Sequence, residues 1–324
     1  MLSEFSLISR YFDRPLRAGS RTDLGIGDDC ALLRPAPGKQ LAISSDMLVE
    51  GRHFFAGADP RLLGHKCLAV NLSDLAAMGA QPLGFTLALA LPAADEAWLS
   101  AFSEGLFALA DRHGCELIGG DTTRGPLTIC ITIFGDIPTG KALRRDAAQA
   151  GDDIWVSGSL GDARLALAAY RNEITLDAAD LAIAGMRMHA PEPRIAVGLA
   201  LRGIARAAID VSDGLAGDLT HILERSSVGA TVDVDALPAS PVLSRQPQAL
   251  RRNYALAGGD DYELCFTAPS GLRGEVEALA NHAGIALSRI GTIDAATGLR
   301  LVDRSGAPLP LEVHSFDHFT TPAP

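Results

Sequence analysis

The feature that most constrains the fold of this chain is a succession of short apolar runs and long helix-like segments, broken once near its middle. CALL (30–33), LAISS (41–45), FTLALAL (85–91), ELIGG (116–120) and LTICITIFG (127–135) have the length and composition of strands. Asp59 to Gly79 and Asp95 to Gly114 are too long for strands and carry helix signals: Asp59 as N-cap with Pro60 at the first helical position, and Gly114 as terminator. The order ββαβαββ suits a mixed sheet with helices on one face. At 138–150, PTGKALRRDAAQA turns polar, basic and small, which places a boundary between domains spanning 1–138 and 149–324. DDIWVSG (152–158) opens the second half. Helices are expected there at about 161–170, 177–188, 194–203, 214–226 and 271–283, and strands at AAIDVS and near 230–234, 262–267, 287–291 and 299–302. That alternation predicts an α/β sandwich with its own core, in a two-domain α/β (α+β) chain. Its 324 residues, 48% of them hydrophobic, are enough for two domains.

Charge narrows the partners. A formal net charge of −11 without a basic run argues against a nucleic-acid surface or an anionic membrane. A phosphate partner would need a cation between itself and the protein. The five cysteines follow neither a CxxC metal pattern nor a secreted disulfide framework, and read as reduced core thiols of a cytoplasmic protein. Glu4 stands where a signal peptide would be basic, and no uncharged apolar run approaches the roughly 18 residues of a membrane span. A soluble chain is expected.

Acidic residues interrupt the apolar and glycine-rich runs repeatedly: Asp28 and Asp29 in GIGDDCA, Asp46 after LAISS, Asp74 within a helix, Asp121 after ELIGG, Asp210 and Asp213 in IDVSDG, and Asp260, Asp261 and Glu263 in GGDDYEL. Asn71 and Asp74 share a face of an otherwise apolar helix, with Lys66 nearby in the turn pattern. Each acid alone has an ordinary reading as a turn or cap, and Asp213 before Gly214 is a good N-cap candidate. Carboxylates that converged in space would repel one another and require cations. Oxygen ligands without a His or Cys cluster select Mg²⁺, which keeps coordination sites for substrate phosphates. His314 and His318 lie in a proline-containing terminal segment and make a poor zinc pair. Neither a P-loop nor a complete GxGxxG occurs.

Together, SEFSLI (3–8), GIGDDCA, SSDMLVEGRHF (44–54), KCLAVNLSDLAAMGAQPLGFTLALALP (66–92), LIGGDTT (117–123), RRDAAQAGDDIWVSGSLGDA (144–163), MHAPEPR (188–194), IDVSDGLAGDL (209–219), GGDDYELCF (258–266) and SFDHF (315–319) resemble the thiamine-monophosphate kinase family of the aminoimidazole ribonucleotide synthetase-like superfamily. The resemblance runs through nearly the whole chain. It implies ATP-dependent phosphorylation of thiamine phosphate to thiamine diphosphate with several Mg²⁺ ions. It implies metal ligands at Asp29, Ser44, Ser45, Asp46, Asp74, Asp121, Asp210 and Asp213, and ATP contacts at Gly120, Asp121, Arg145 and Ser212, with Asp121 and Arg145 central to catalysis. His53, Glu263 and an aromatic placed at Phe316 would hold the thiamine end. It also implies a homodimer whose N-terminal sheets join into a barrel.

The chemistry agrees with this expectation. A phosphate monoester has its second pKa near 6, so its attacking oxygen is largely deprotonated at neutral pH and needs no general base. Positioning and shielding of charge suffice. Two related chemistries lack their residues. A selenophosphate synthetase would want a reactive Cys followed by Lys near the N-terminus, whereas the first Cys is Cys30 in GDDCALL; a hydrogenase-maturation homologue would end in Cys, whereas this chain ends TTPAP. Another synthetase of the superfamily and a non-catalytic Mg²⁺- or nucleotide-binding homologue stand as alternatives.

Overall fold

A computed structural model describes residues 4–27 and 30–310. Two compact units emerge: one holds the described residues through Leu75 together with Ala80–Gly140, the other Ala76–Gly79 and the described residues from Lys141 onward.

The first unit contains α1 (Glu4–Tyr11), the paired short strands β1 (Thr22–Leu24) and β2 (Leu32–Leu33), then β3 (Lys39–Val49), α2 (Pro60–Met78, whose last turn falls in the second unit), β4 (Gln81–Leu91), α3 (Glu96–His113), β5 (Glu116–Arg124) and β6 (Thr128–Pro138). A four-stranded sheet runs in the order β3-β6-β4-β5. It is antiparallel except for β4 and β5, which α3 joins as a crossover and which therefore run parallel. One face is covered: Phe85, Leu87, Leu89, Ile129, Ile131 and Ile133 are buried, as are Leu68, Leu72, Leu99, Phe102 and Leu106 of α2 and α3. The two helices cross at glycines. A Cβ on Gly64 would sit 2.1 Å from the Phe102 carbonyl oxygen, and one on Gly105 would sit 1.9 Å from that of Arg61. The other face is open at β3, where Leu41, Ile43 and Met47 are 42%, 60% and 56% exposed. Alternation along the strand sends these three to one side and Ala42, Ser44, Asp46 and Leu48 to the other.

The second unit contains β7 (Asp152–Ser157), α4 (Asp162–Tyr170), α5 (Ala178–His189), α6 (Ile195–Leu201), β8 (Ala207–Asp210), α7 (Leu215–Ser226), β9 (Gly229–Asp233), α8 (Pro241–Ser244), α9 (Gln248–Ala257), β10 (Leu264–Pro269), α10 (Arg273–Ala283), β11 (Leu287–Asp294) and β12 (Gly298–Val302). Its six-stranded sheet runs β12-β9-β11-β7-β10-β8, with only β12 and β9 parallel. Ile154, Val156, Leu165, Ile209, Leu219 and Val232 belong to its core. Every residue of β7 is buried, including Asp153, whose carboxylate accepts hydrogen bonds from Arg273 and Arg289.

The structure departs from the sequence expectations in a few places. β3 continues through Val49 because it pairs with β6 along its full length. α9 gave no start signal, since Pro247 precedes it and no side chain caps it. β10 begins at Leu264 rather than 262, because Asp260 and Tyr262 have left-handed backbone (φ 68° and 50°) that a strand cannot contain. The cysteines are free, but Cys30 is exposed rather than in a core. No described helix is long and apolar enough to cross a membrane.

Candidate functional site

In the first unit, β3 and α2 bring two of the expected metal ligands together. Ser44 Oγ donates a hydrogen bond to Asp74 Oδ2, and Asp46 lies on the same side of β3 as Ser44. Ser45 faces the other way, where its hydroxyl pairs with Thr132 Oγ1 at 2.9 Å. Asp74 is half-buried on a helix whose neighbouring positions are almost all buried. Asn71, one turn before it, is fully buried; its amide donates to the Cys67 carbonyl, and its Oδ1 meets no donor. Asp121 is exposed within β5, opposite Ala88, rather than after a strand end. Gly120 before it has φ 148°, and a Cβ there would sit 1.9 Å from the Leu87 carbonyl oxygen, so the step from Gly120 to Asp121 requires glycine. His53 follows β3 in a turn; its Nδ1 accepts from the Val49 N–H, which leaves the proton of a neutral ring on Nε2.

In the second unit the expected residues cluster at the end of β8. Asp210 is buried at the strand's last position, Ser212 is half-buried and Asp213 exposed. Asp213 is not the helix cap that its position suggested: α7 starts after Gly214, and no side chain caps it. A residue that sequence reasoning passed over organises this turn. Asp218 Oδ2 accepts from the backbone N–H groups of Ser212 at 3.0 Å and Asp213 at 3.2 Å. Burial, reinforced by the charges of Asp210 and Asp213, pushes the Asp218 carboxyl up to about 8. The only sequence signal for it is a carboxylate in the first turn of an apolar helix, which reads as an ordinary dipole-complementing residue. Arg145 is exposed in the segment between β6 and β7, and its carbonyl accepts from Ser226 Oγ, which also receives the Ala148 N–H.

The GGDDYEL loop packs along the same turn. Asp260 N–H donates to the Ser212 carbonyl and Tyr262 N–H to that of Val211, both at 2.8 Å. Glu263, expected at the thiamine end, is instead fully buried, and its carboxylate is engaged by Ser157, Arg187 and Arg194. A carboxylate so enclosed has no surface left for a ligand cation. Asp261 is also buried, accepting from the Gly161 N–H, and burial raises its pKa well above the usual carboxylate range. Of the three acids in this loop, Asp260 is the one that reaches the surface in part, with its Oδ1 accepting from the Tyr262 hydroxyl.

Asp29 and Phe316 lie outside the described residues. Among the described residues, no group of three or more His, Cys, Asp or Glu side chains forms a set that could hold a metal ion as it stands. The oxygen-rich side chains nevertheless have the donor chemistry of a hard cation.

Comparison with known proteins agrees with this reading. The family model described as AIR synthase related protein, N-terminal domain, matches residues 27–137, and the C-terminal domain model of the same family matches 149–304. The thiamine-monophosphate kinase of Salmonella typhimurium is 50% identical over 324 residues, covering 98% of this chain and 99% of that protein. The crystal structure of the thiamine-monophosphate kinase from Stenotrophomonas maltophilia K279a superposes with a TM-score of 0.84 at 49% identity, covering 89% of this chain and 92% of the other. A structure of AaThiL complexed with AMPPCP and TMP gives a TM-score of 0.77 at 26% identity, covering 98% and 97%. With oxygen donors along β3 and at the end of β8, both AIR synthase domains in order and half of its residues shared with a curated relative, the chain belongs to the thiamine-monophosphate kinase family.

Proposed function

We propose that this chain transfers the γ-phosphoryl group of ATP to the phosphate of thiamine phosphate, yielding thiamine diphosphate, with Mg²⁺ as the required cation. The observation that carries the reading is full-length identity of 50% to a thiamine-monophosphate kinase, and the recurring carboxylates of the chain support it. In the first unit Asp46, Asp74, Asp121 and the hydroxyl of Ser44 are proposed metal ligands, and Asp29 is a further one; Ser45, whose hydroxyl faces the other side of β3, is proposed as a ligand apart from Ser44 and Asp46; Asp210 and Asp213 are proposed ligands in the second unit. Mg²⁺ held there would supply positive charge that shields the two phosphates and the charge developing on the transferred group. Gly120, Arg145 and Ser212 bind ATP, and the Arg145 guanidinium supplies a permanent cation at the phosphates. The acceptor phosphate is already largely ionised near pH 7, so no side chain removes a proton and no covalent intermediate forms.

At the thiamine end we assign His53 and Phe316, and transfer the carboxylate role from Glu263 to Asp260, which has the exposure that Glu263 lacks. A carboxylate beside an aromatic surface suits a thiazolium cation. The working state is a homodimer. The support is the edge strand β3, which turns Leu41, Ile43 and Met47 outward, a surface that a monomeric protein would leave open to association. A reducing cytoplasm suits the five free thiols.

The test is incubation of the protein with thiamine phosphate, ATP and Mg²⁺, with mass-spectrometric detection of thiamine diphosphate. Asp121→Asn and Asp74→Asn should each reduce kcat by at least about a hundredfold while leaving the circular dichroism unchanged. ATP binding without product would instead select the non-catalytic reading.

A further inference from the structure

The loop Gly258–Glu263 is held in a conformation that its residues do not favour. Asp260 and Tyr262 both have positive φ, 68° and 50°, a region that costs non-glycine side chains energy and persists only where surroundings over-determine it. The surroundings here are unusually complete. Backbone N–H groups of Asp260 and Tyr262 are tied to the Ser212 and Val211 carbonyls, and Val211 N–H returns to the Glu263 carbonyl. Next to them lies Glu263, fully buried, its Oε2 accepting from Ser157 Oγ at 2.7 Å and Arg194 Nε at 2.6 Å, and its Oε1 from Arg187 and Arg194. Ser157 Oγ in turn receives the Leu264 N–H, so the same cluster sets the first residue of β10. Space is reserved for the carboxylate: a Cβ on Gly158 would fall 2.1 Å from Glu263 Oε1.

A buried carboxylate held by two guanidiniums is weak evidence for stability, because desolvation consumes much of the attraction. What such a cluster does well is define one geometry. The geometry points to Glu263 as a positioning residue: clamped by Arg187 and Arg194, it fixes the left-handed turn that presents the Asp260 carboxylate to the thiamine end of the acceptor. This inference rests on the proposed role of Asp260 and gives Glu263 no contact with substrate.

A double-mutant cycle in purified full-length protein tests it, read as separate KM values for thiamine phosphate and for ATP. Glu263→Gln and Arg187→Gln should each raise the KM for thiamine phosphate about tenfold and change that for ATP less than about twofold; the double variant should be no worse than the weaker single, because both changes break one clamp. Additive effects, or Arg187→Gln that is silent while Glu263→Gln is not, would overturn the inference, the latter in favour of direct contact. If the glutamate variant does not fold by circular dichroism, Ser157→Ala replaces it. It removes one donor of the cluster, and a rise of about threefold in the same KM is expected; no change would reject the clamp. Asp260→Asn separates the layers: if it leaves the thiamine phosphate KM untouched in an active enzyme, the Asp260 assignment fails, whereas a wild-type protein making no thiamine diphosphate sinks the kinase reading itself.

Discussion

Replacing Asp218 by Asn should make the metal-free protein more stable at pH 8, although it removes a buried carboxylate that holds the turn before α7. Asp218 is 4% exposed, and its carboxyl titrates at about 8, chiefly because of burial and secondarily because Asp210 and Asp213 are charged nearby. In the unfolded chain an aspartate titrates near 3.9. The folded pKa is therefore raised, so stability is fully present below about pH 4 and is lost progressively as pH rises through about 8, at up to about 1.4 kcal/mol per pH unit. The whole window would amount to about 6 kcal/mol, an upper bound that movement of the exposed Asp213 and entry of water reduce; roughly 2 kcal/mol is a reasonable net effect. Asparagine stays neutral throughout, and its Oδ1 can still accept the Ser212 and Asp213 N–H groups that Asp218 holds. At pH 8 Asp218→Asn should then melt about 4–8 °C above wild type, and at pH 4 the two should coincide. The measurement is thermal unfolding in EDTA, followed by Trp155 of the second unit in a Trp98→Phe background. Adding Mg²⁺ should stabilise wild type more than the variant. A variant less stable than wild type at pH 8, or one with the same slope against pH, would refute the charge-crowding argument.

Two further outcomes follow from packing. Gly105→Ala would bring a methyl within 1.9 Å of the Arg61 carbonyl oxygen and force α2 and α3 apart, costing about 1–3 kcal/mol; chemical denaturation monitored at Trp98, on α3, should show it, and an unchanged midpoint would mean the helices separate freely. Ile43→Glu places a charge on the exposed face of β3, and sedimentation equilibrium should find a monomer that keeps its far-ultraviolet spectrum; an unaltered dimer would put the interface elsewhere.

Local physical chemistry in the sequence decided much of this protein. Asp59 caps α2 with Pro60 behind it, and Gly114 closes α3 in the left-handed conformation, both legible because a cap acts within one turn of its own helix. The strings that carry the family resemblance are likewise short, so the reaction class was within reach before any coordinates. Tertiary structure decided which carboxylate does what. GGDDYEL offers three acids in four residues with nothing local to rank them, yet Asp261 and Glu263 go inside and Asp260 reaches the surface, because the guanidiniums that neutralise Glu263 arrive from Arg187 and Arg194, 76 and 69 residues away in sequence. Asp213 looked like a helix cap and is not one, while Asp218, which sequence reasoning passed over, holds the turn before α7. Burial and partner charge set the chemistry of an ionisable group, and both depend on residues that only the folded chain brings near.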